Sequence, residues 1–338
     1  MSTETLLISR HEVERLLTPD ACIAAVEDAF RQLARGEVPP PGILAVHAEH
    51  GTFHVKAGQL SAARPYFAAK LNANFPHNGV CHGLPTIQGV VALCDAGNGA
   101  LLALLDSISI TAMRTAAATA IAAKYLAREG CEAVLLCGCG GQAAAHIRAL
   151  LRVRAPVRIH VYDLDPEKAS RLAEALAQEL HIAIASVADL AAAASSSDII
   201  VTCTTSRKFF LTREMVRAGT FIAAVGADSE DKQEIDPELM ARARVVTDVT
   251  DQACAIGDLR HALAARTMTR DDVYAELGDV VSGRKPVRAS AEEIFVFDST
   301  GTGLQDVAAS IAAYQQALAS NAGTRFAFSS QDNQRSTS

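Results

Sequence analysis

Apolar residues recur along the chain at two different periods, and the change of period divides it. Ser9 and Glu12 stand in a capping-box pattern ahead of an apolar run, and Thr18-Pro19 reads as the N-cap and first residue of a second helix. In that helix Cys22, Val26, Ala29, Phe30 and Leu33 recur at helical spacing until Gly36. "VPPPG" (Val38 to Gly42) breaks the pattern. From about residue 43 to 106 the chain shows short apolar runs, such as "GTFHVKAGQL" and "TIQGVVALCD", separated by Gly, Asn and Asp. These predict a mostly antiparallel sheet. "SISITAMRTAAATAIAAKYLAREG" (Ser107 to Gly130) predicts a long helix closed by glycine. Strand and helix then alternate: "AVLLCG", "QAAAHIRALLRV", "RIHVYDLD", "PEKASRLAEALAQEL", followed by the short strands "IAIAS", "DIIVTCT", "FIAAVGA" and "ARVVTDV". This alternation predicts an α/β fold with a parallel sheet covered on both faces. Helix returns after "IFVFDSTGTGLQDVAASIAAYQQAL", and "SSQDNQRSTS" reads as a loose polar tail.

Composition narrows the classes. With 338 residues, 49% of them hydrophobic, the chain is long enough for two domains and apolar enough for a sizeable core. No apolar run reaches the roughly 18 residues that cross a bilayer, and the N-terminal "MSTETLLISRHEVERLL" lacks the basic and apolar regions of a secretory signal. A cytoplasmic location is expected. Of eight cysteines, only Cys137 and Cys139 lie close together, as C-x-C without a second pair, so zinc is not expected and reduced thiols are. A net charge of -7 without a long basic cluster argues against nucleic acid as a partner.

Chemistry enters at "VLLCGCGGQAAAHIRAL" (Val134 to Leu150). Gly138, Gly140 and Ala143 occupy a G-x-G-x-x-(G/A) pattern, with Gly141 and Gln142 inside it. The pattern follows a predicted strand, opens a predicted helix, and precedes Asp163 at the end of the next strand. Glycine lets a pyrophosphate approach the backbone, a small Ala143 lets helix pack on strand, and Asp163 can accept hydrogen bonds from ribose hydroxyls. A carboxylate there repels a 2′-phosphate and Asp165 adds to that, so NAD is favoured over NADP, although Arg158 and Lys168 work the other way. Asp228 follows the apolar strand "FIAAVGA", at the carboxyl edge of a parallel sheet where ligands of open α/β folds bind. Arg114 lies near the start of an alanine-rich helix, where the dipole disfavours a cation and a bound anion would explain it.

The stretches "AAKLNANFP", "GLPTIQGVVAL", "AMRTAAATAIAAKYLAR", "GCGGQA", "VYDLDP", "VGADSEDKQEID" and "FDSTGTGLQD" occur in an order that covers nearly the whole chain. In them the sequence resembles the ornithine cyclodeaminase / mu-crystallin family, and within it the archaeal-type alanine dehydrogenase and imine reductase branch. The resemblance implies a Rossmann-type doubly wound sheet of about residues 115–310, inserted into a second α+β domain for substrate and dimerisation, made of 1–114 and 311–330. It implies that Lys70 and Arg114 bind the substrate carboxylate and that Asp228 is the proton donor and acceptor. It further implies cofactor contacts at Thr86, Arg114, Thr115, Thr204, Val225, Lys232 and Ser299.

The chain also departs from the cyclodeaminases. Their second carboxylate-clamp arginine matches a site near Ile43, and their acidic residue for the ornithine side chain matches His54. Lys56, two residues on, points to the same strand face. Neither His54 nor Lys56 would welcome a terminal ammonium, so His54, Lys56, Lys70 and Arg114 are expected to hold a small 2-oxo or 2-imino acid, iminosuccinate among them. The expected function is an NAD-dependent amino-acid dehydrogenase or imine reductase working as a homodimer without metal. The alternatives are a cyclising ammonia lyase that uses NAD catalytically, and a mu-crystallin-like ligand-binding protein.

Overall fold

The computed structural model describes residues 4–327; the tail expected at 331–338 lies outside them. Two large sheets organise the chain. The first has seven strands, in the order Thr324–Ala327, Glu4–Ile8, Leu101–Asp106, Ile87–Asp95, Pro65–Asn74, Gly51–Ser61 and Gly42–Ala48. All neighbours are antiparallel except Glu4–Ile8 beside Leu101–Asp106. The antiparallel sheet expected from 43–106 is therefore present. The sequence reading missed its two outer strands from the chain ends, which are only five and four residues long.

The second sheet has eight strands, all parallel, in the order Ala275–Glu276, Arg244–Thr247, Phe295–Asp298, Phe221–Ala224, Ile199–Thr202, Ala133–Cys137, Arg158–Tyr162 and Ile184–Ser186. The chain begins it in the middle at Ala133–Cys137, builds outward on one side, then crosses to the other from Ile199. That reversal is the doubly wound Rossmann arrangement, and it opens a crevice at the carboxyl ends of the central strands. The central strands are wholly buried, since helices cover both faces. Phe221, Phe295 and Phe297 have no exposed surface; burying each contributes about 1.5–3 kcal/mol before entropy is subtracted.

Two helices join the sheets. Ser107–Leu126 leaves the first sheet at Asp106, whose carboxylate caps it by accepting the N–H groups of Ile108 and Ser109, both at 3.1 Å. Its run of alanines lets helices Pro19–Ala34, Ala143–Leu150 and Gly303–Ala319 all pack closely on it. Gly303–Ala319 returns the chain to the first sheet and lies across strands Gly51–Ser61 and Pro65–Asn74. A Cβ on Gly303 would sit 2.3 Å from the Ala57 carbonyl oxygen, so only glycine permits that approach. The limits expected at 114/115 and 310/311 fall inside these two continuous helices.

Candidate active site

The glycine turn is built as a cradle. Gly138 has φ +98°, a left-handed conformation, and a Cβ there would meet the Cys203 carbonyl oxygen at 2.9 Å. Its N–H donates to Tyr162 O at 2.8 Å, which ties the turn to the next strand. Around Gly140 and Gly141 a Cβ would meet nothing within 4 Å, so the outer surface of the turn is open to close approach. Helix Ala143–Leu150 starts at once, with Ala143 fully buried against the sheet and Gln142 as its N-cap. The Gln142 side-chain oxygen is buried without a partner.

Asp163 braces this turn. One carboxylate oxygen accepts the Cys139 N–H at 2.7 Å and the other the Asp165 N–H at 2.9 Å. A carboxylate offers about four lone-pair sites, so capacity remains for two ribose hydroxyls. Arg158 begins the strand whose far end leads to Asp163, and Lys168 is turned onto Asp165 at 3.9 Å. Arg158 thus stands at the opposite end of the strand from Asp163, and Lys168 faces a second carboxylate. Thr204, Val225 and Ser299 lie just past the carboxyl ends of the three neighbouring strands. The Thr204 N–H donates to Glu234 at 2.6 Å, and the buried Ser299 hydroxyl has no partner. Thr115 is buried and bonds Thr111 O at 2.7 Å, whereas Thr86 is exposed in the connection before Ile87–Asp95. Open glycines, unpartnered polar atoms and a free-edged carboxylate fit a dinucleotide, and fit NAD better than NADP.

The expected proton-transfer residue, Asp228, lies at this crevice. Asp228, four residues past strand Phe221–Ala224, has about half its side chain exposed (51%) and accepts Lys232 Nζ at 2.6 Å. Crowding by the cleft walls pushes its carboxyl up, but Lys232, Lys56 and His54 outweigh that and leave it below the usual carboxylate range. The charges of Lys56 and His54 reach Asp228, so the first sheet shapes its electrostatics. There His54 pairs with Asn72 and Lys56 with Lys70 in cross-strand rows two residues apart, so all four point to one face. Ile43, at the site of the missing arginine, extends the Lys56–Lys70 row. Burial keeps the His54 imidazolium below its ordinary pKa, helped by Lys56 and Lys232 against the pull of Asp228.

Three expected substrate cations are buried and already engaged. Lys56 Nζ donates to Thr300 O at 2.9 Å and Gly301 O at 2.6 Å, which leaves one of its three donors for the cleft. Lys70 Nζ donates to Thr111 Oγ1 at 3.1 Å and Asp306 Oδ1 at 2.9 Å. Arg114 donates through Nε to the same Asp306 oxygen at 3.0 Å and through its terminal nitrogen to Gln305 Oε1 at 2.7 Å. Arg114 is the eighth residue of its helix rather than part of the first turn, so the helix dipole does not act on it as expected. It is held by a carboxylate instead. Sequence reasoning missed Asp306, and its only signal was a lone acid in the apolar helix "GLQDVAASIAAY". It also missed Glu234, buried and raised by that burial, which accepts the Thr202 hydroxyl, the Thr204 N–H and the Gly226 N–H and so pins two loops of the crevice.

Fold and site define a class: a Rossmann-type α/β protein with a second sheet, whose cations confront an acid across a dinucleotide crevice. The sequence profile of the ornithine cyclodeaminase/mu-crystallin family matches residues 3–321, and the chain belongs to that family. It is 38% identical over 325 residues to the alanine dehydrogenase of Archaeoglobus fulgidus, covering 96% of this chain and 99% of that one. Among solved structures, an archaeal alanine dehydrogenase dimer with bound NAD superposes with a TM-score of 0.91 at 36% identity, covering 96% of this chain and 100% of that one. The iminosuccinate reductase of Paracoccus denitrificans in complex with NAD+ superposes with a TM-score of 0.88 at 35% identity, covering 95% and 99%. No helix among the described residues is long and apolar enough to cross a membrane, and no group of three metal-ligating side chains occurs among them.

Proposed function

We propose that this protein is an NAD-dependent amino-acid dehydrogenase or imine reductase that interconverts a small 2-imino or 2-oxo acid and the amino acid. The observation that carries this reading is the half-exposed Asp228 facing the Lys56–Lys70 row across the crevice of the glycine turn. Gly138, Gly140, Gly141, Gln142, Asp163, Thr204, Val225 and Ser299 would hold the dinucleotide, with Thr86, Thr115 and Lys232 beside it. Bound nicotinamide would supply or accept the hydride. Lys70 and Arg114 hold the carboxylate of the substrate and so fix C2; such positioning contributes about 7–11 kcal/mol when the geometry is well set. Asp228 is ionised at neutral pH, because Lys232 and Lys56 keep it so. In the oxidative direction it takes a proton from the substrate ammonium, freeing the nitrogen lone pair that forms C=N. In the reductive direction the same carboxylate stabilises the protonated imine and returns the proton to nitrogen afterwards.

Ile43 and His54 offer no negative charge to a terminal ammonium, which sets the reading apart from a cyclodeaminase. The third donor of Lys56 can serve a second carboxylate, as in iminosuccinate. The cysteines stand unpaired, in keeping with a cytoplasmic enzyme. A homodimer fits the outer face of the first sheet, where Leu44, Phe53, Leu71 and Val90 are exposed together. The test is a panel of 2-oxo acids with ammonia or methylamine and either NADH or NADPH, beside ornithine with NAD+. Net NADH consumption is expected with small 2-oxo acids. Ammonia release from ornithine without net NADH change would establish the cyclodeaminase instead, and ligand binding without any turnover would establish a binding protein.

A further inference from the structure

Lys56, Lys70 and Arg114 are buried around a single carboxylate, Asp306, which is itself 1% exposed. One Asp306 oxygen takes both Lys70 and Arg114, and the other is buried with no partner. Surplus positive charge out of water is unfavourable. Two events relieve it: an anion binds, or a cation sheds a proton. Arginine does not deprotonate in proteins, whereas a buried lysine can. The groups around Lys70 leave it as the one that yields. Helix Gly303–Ala319 presents Asp306, and helix Ser107–Leu126 presents Arg114 and the neutral Thr111. Strand Gly51–Ser61 presents Lys56, and strand Ile87–Asp95 presents the uncharged Val91 opposite. Lys56 is lowered too, by burial and then Arg114, but Asp228, Asp306 and Asp248 all pull it back. Burial is the largest influence on Lys70, and repulsion by Arg114 and Lys56 adds to it against the attraction of Asp306, bringing its pKa down to about 7.

We infer that Asp306 is the positioning residue of the anion clamp, holding Lys70 beside Arg114 through one oxygen, and that an arriving substrate carboxylate draws a proton from solvent onto Lys70. The inference rests on the carboxylate-binding reading above. The bound carboxylate adds the second negative charge that three cations call for, so Lys70 is an ammonium in the complex over a wider pH range than in the free protein.

The sign follows from linkage. Below pH 6 Lys70 is charged with or without the anion, and no proton is taken up. Above its free pKa about one proton enters per anion bound, and affinity falls about tenfold per pH unit. Oxalate, which the enzyme cannot reduce, is titrated into the NAD+-loaded protein by calorimetry in two buffers of different protonation enthalpy. Uptake is expected near zero at pH 6 and about one proton at pH 8. In Lys70→Arg the cation cannot titrate, so binding persists with no uptake at either pH. In Asp306→Asn, Lys70 loses its carboxylate neighbour and the onset of uptake moves to lower pH; a role for Asp306 in folding alone would weaken binding evenly at all pH values. Should Asp306→Asn not fold, Lys70→Arg decides. Oxalate binding to the wild type without proton uptake at pH 8 overturns this inference alone. No oxalate binding at any pH overturns it together with the carboxylate-site reading.

Discussion

Asp228 and Asp306 are both aspartates near lysines, and their surroundings assign them different work. Asp228 is half exposed with a single ion-pair partner at 2.6 Å, so it can exchange a proton with a bound nitrogen. Asp306 is sealed and shared between two cations, which hold it below the usual carboxylate range despite burial, so it cannot. Asp228→Asn keeps the shape and removes the proposed base. Its kcat is expected to fall about 10²–10⁴-fold, while NADH affinity, measured by fluorescence titration, stays within about twofold. A parallel loss of NADH affinity would place Asp228 in cofactor binding rather than in proton transfer. None of this difference was legible in the sequence, because exposure belongs to the folded chain.

At the scale of elements, helix Gly303–Ala319 decides whether the clamp exists. It carries Gln305 and Asp306 in its first turn, and its start lies flat on strand Gly51–Ser61 because Gly303 has no Cβ. Gly303→Ala is expected to lift that start by several tenths of an ångström or more and to misplace Asp306. Overpacking of this kind costs about 1–3 kcal/mol, seen as a lowered urea midpoint. The KM for the 2-oxo acid should rise more than the KM for NADH, since the glycine turn sits on the other sheet. Equal rises would show that the disturbance spreads through both sheets. The sequence showed this helix and its glycine, but the contact that makes the glycine necessary comes from Ala57, 246 positions earlier in the chain.

At the scale of the molecule, the first sheet has two unlike faces. One is covered by helix Gly303–Ala319 and bounds the cleft, while the other leaves Leu44 at 58% and Val46 at 50% exposure. A joint Leu44→Asp and Val46→Asp replacement is expected to give monomers in sedimentation velocity while the wild type sediments as a dimer; a wild-type monomer would remove the assignment of this face. The second sheet predicts a pH dependence. Asp298, buried beside Asp248, Asp258 and Glu234, has its pKa raised to about 7 by burial first, with Asp248 and Glu234 adding to it against its backbone hydrogen bonds. The folded chain thus keeps a proton that the unfolded chain releases above the ordinary range near pH 4. Stability from that proton is full below about pH 4 and is lost as pH rises to about 7. The urea midpoint should fall between pH 5 and pH 7.5, and Asp298→Asn should flatten the fall. An unchanged slope in the variant would show that Asp298 is ionised in the folded protein.

What the sequence determined by itself was local: the change of hydrophobic period, the capping residues, the glycine turn with Asp163 after the next strand, and the family motifs that carry Lys70, Arg114 and Asp228. Each is written in residues a few positions apart, where backbone geometry acts directly. Only the tertiary structure decided that Lys56 grips Thr300 and Gly301, that Lys70 and Arg114 share Asp306, and that Asp228 faces the His54–Lys56 face. Those pairings join residues 170 to 250 positions apart, and they depend on how much water the packed chain leaves around each charge. A pattern along the chain records which residues are polar, whereas burial and partner, which set their chemistry, arise only when the two sheets close on each other.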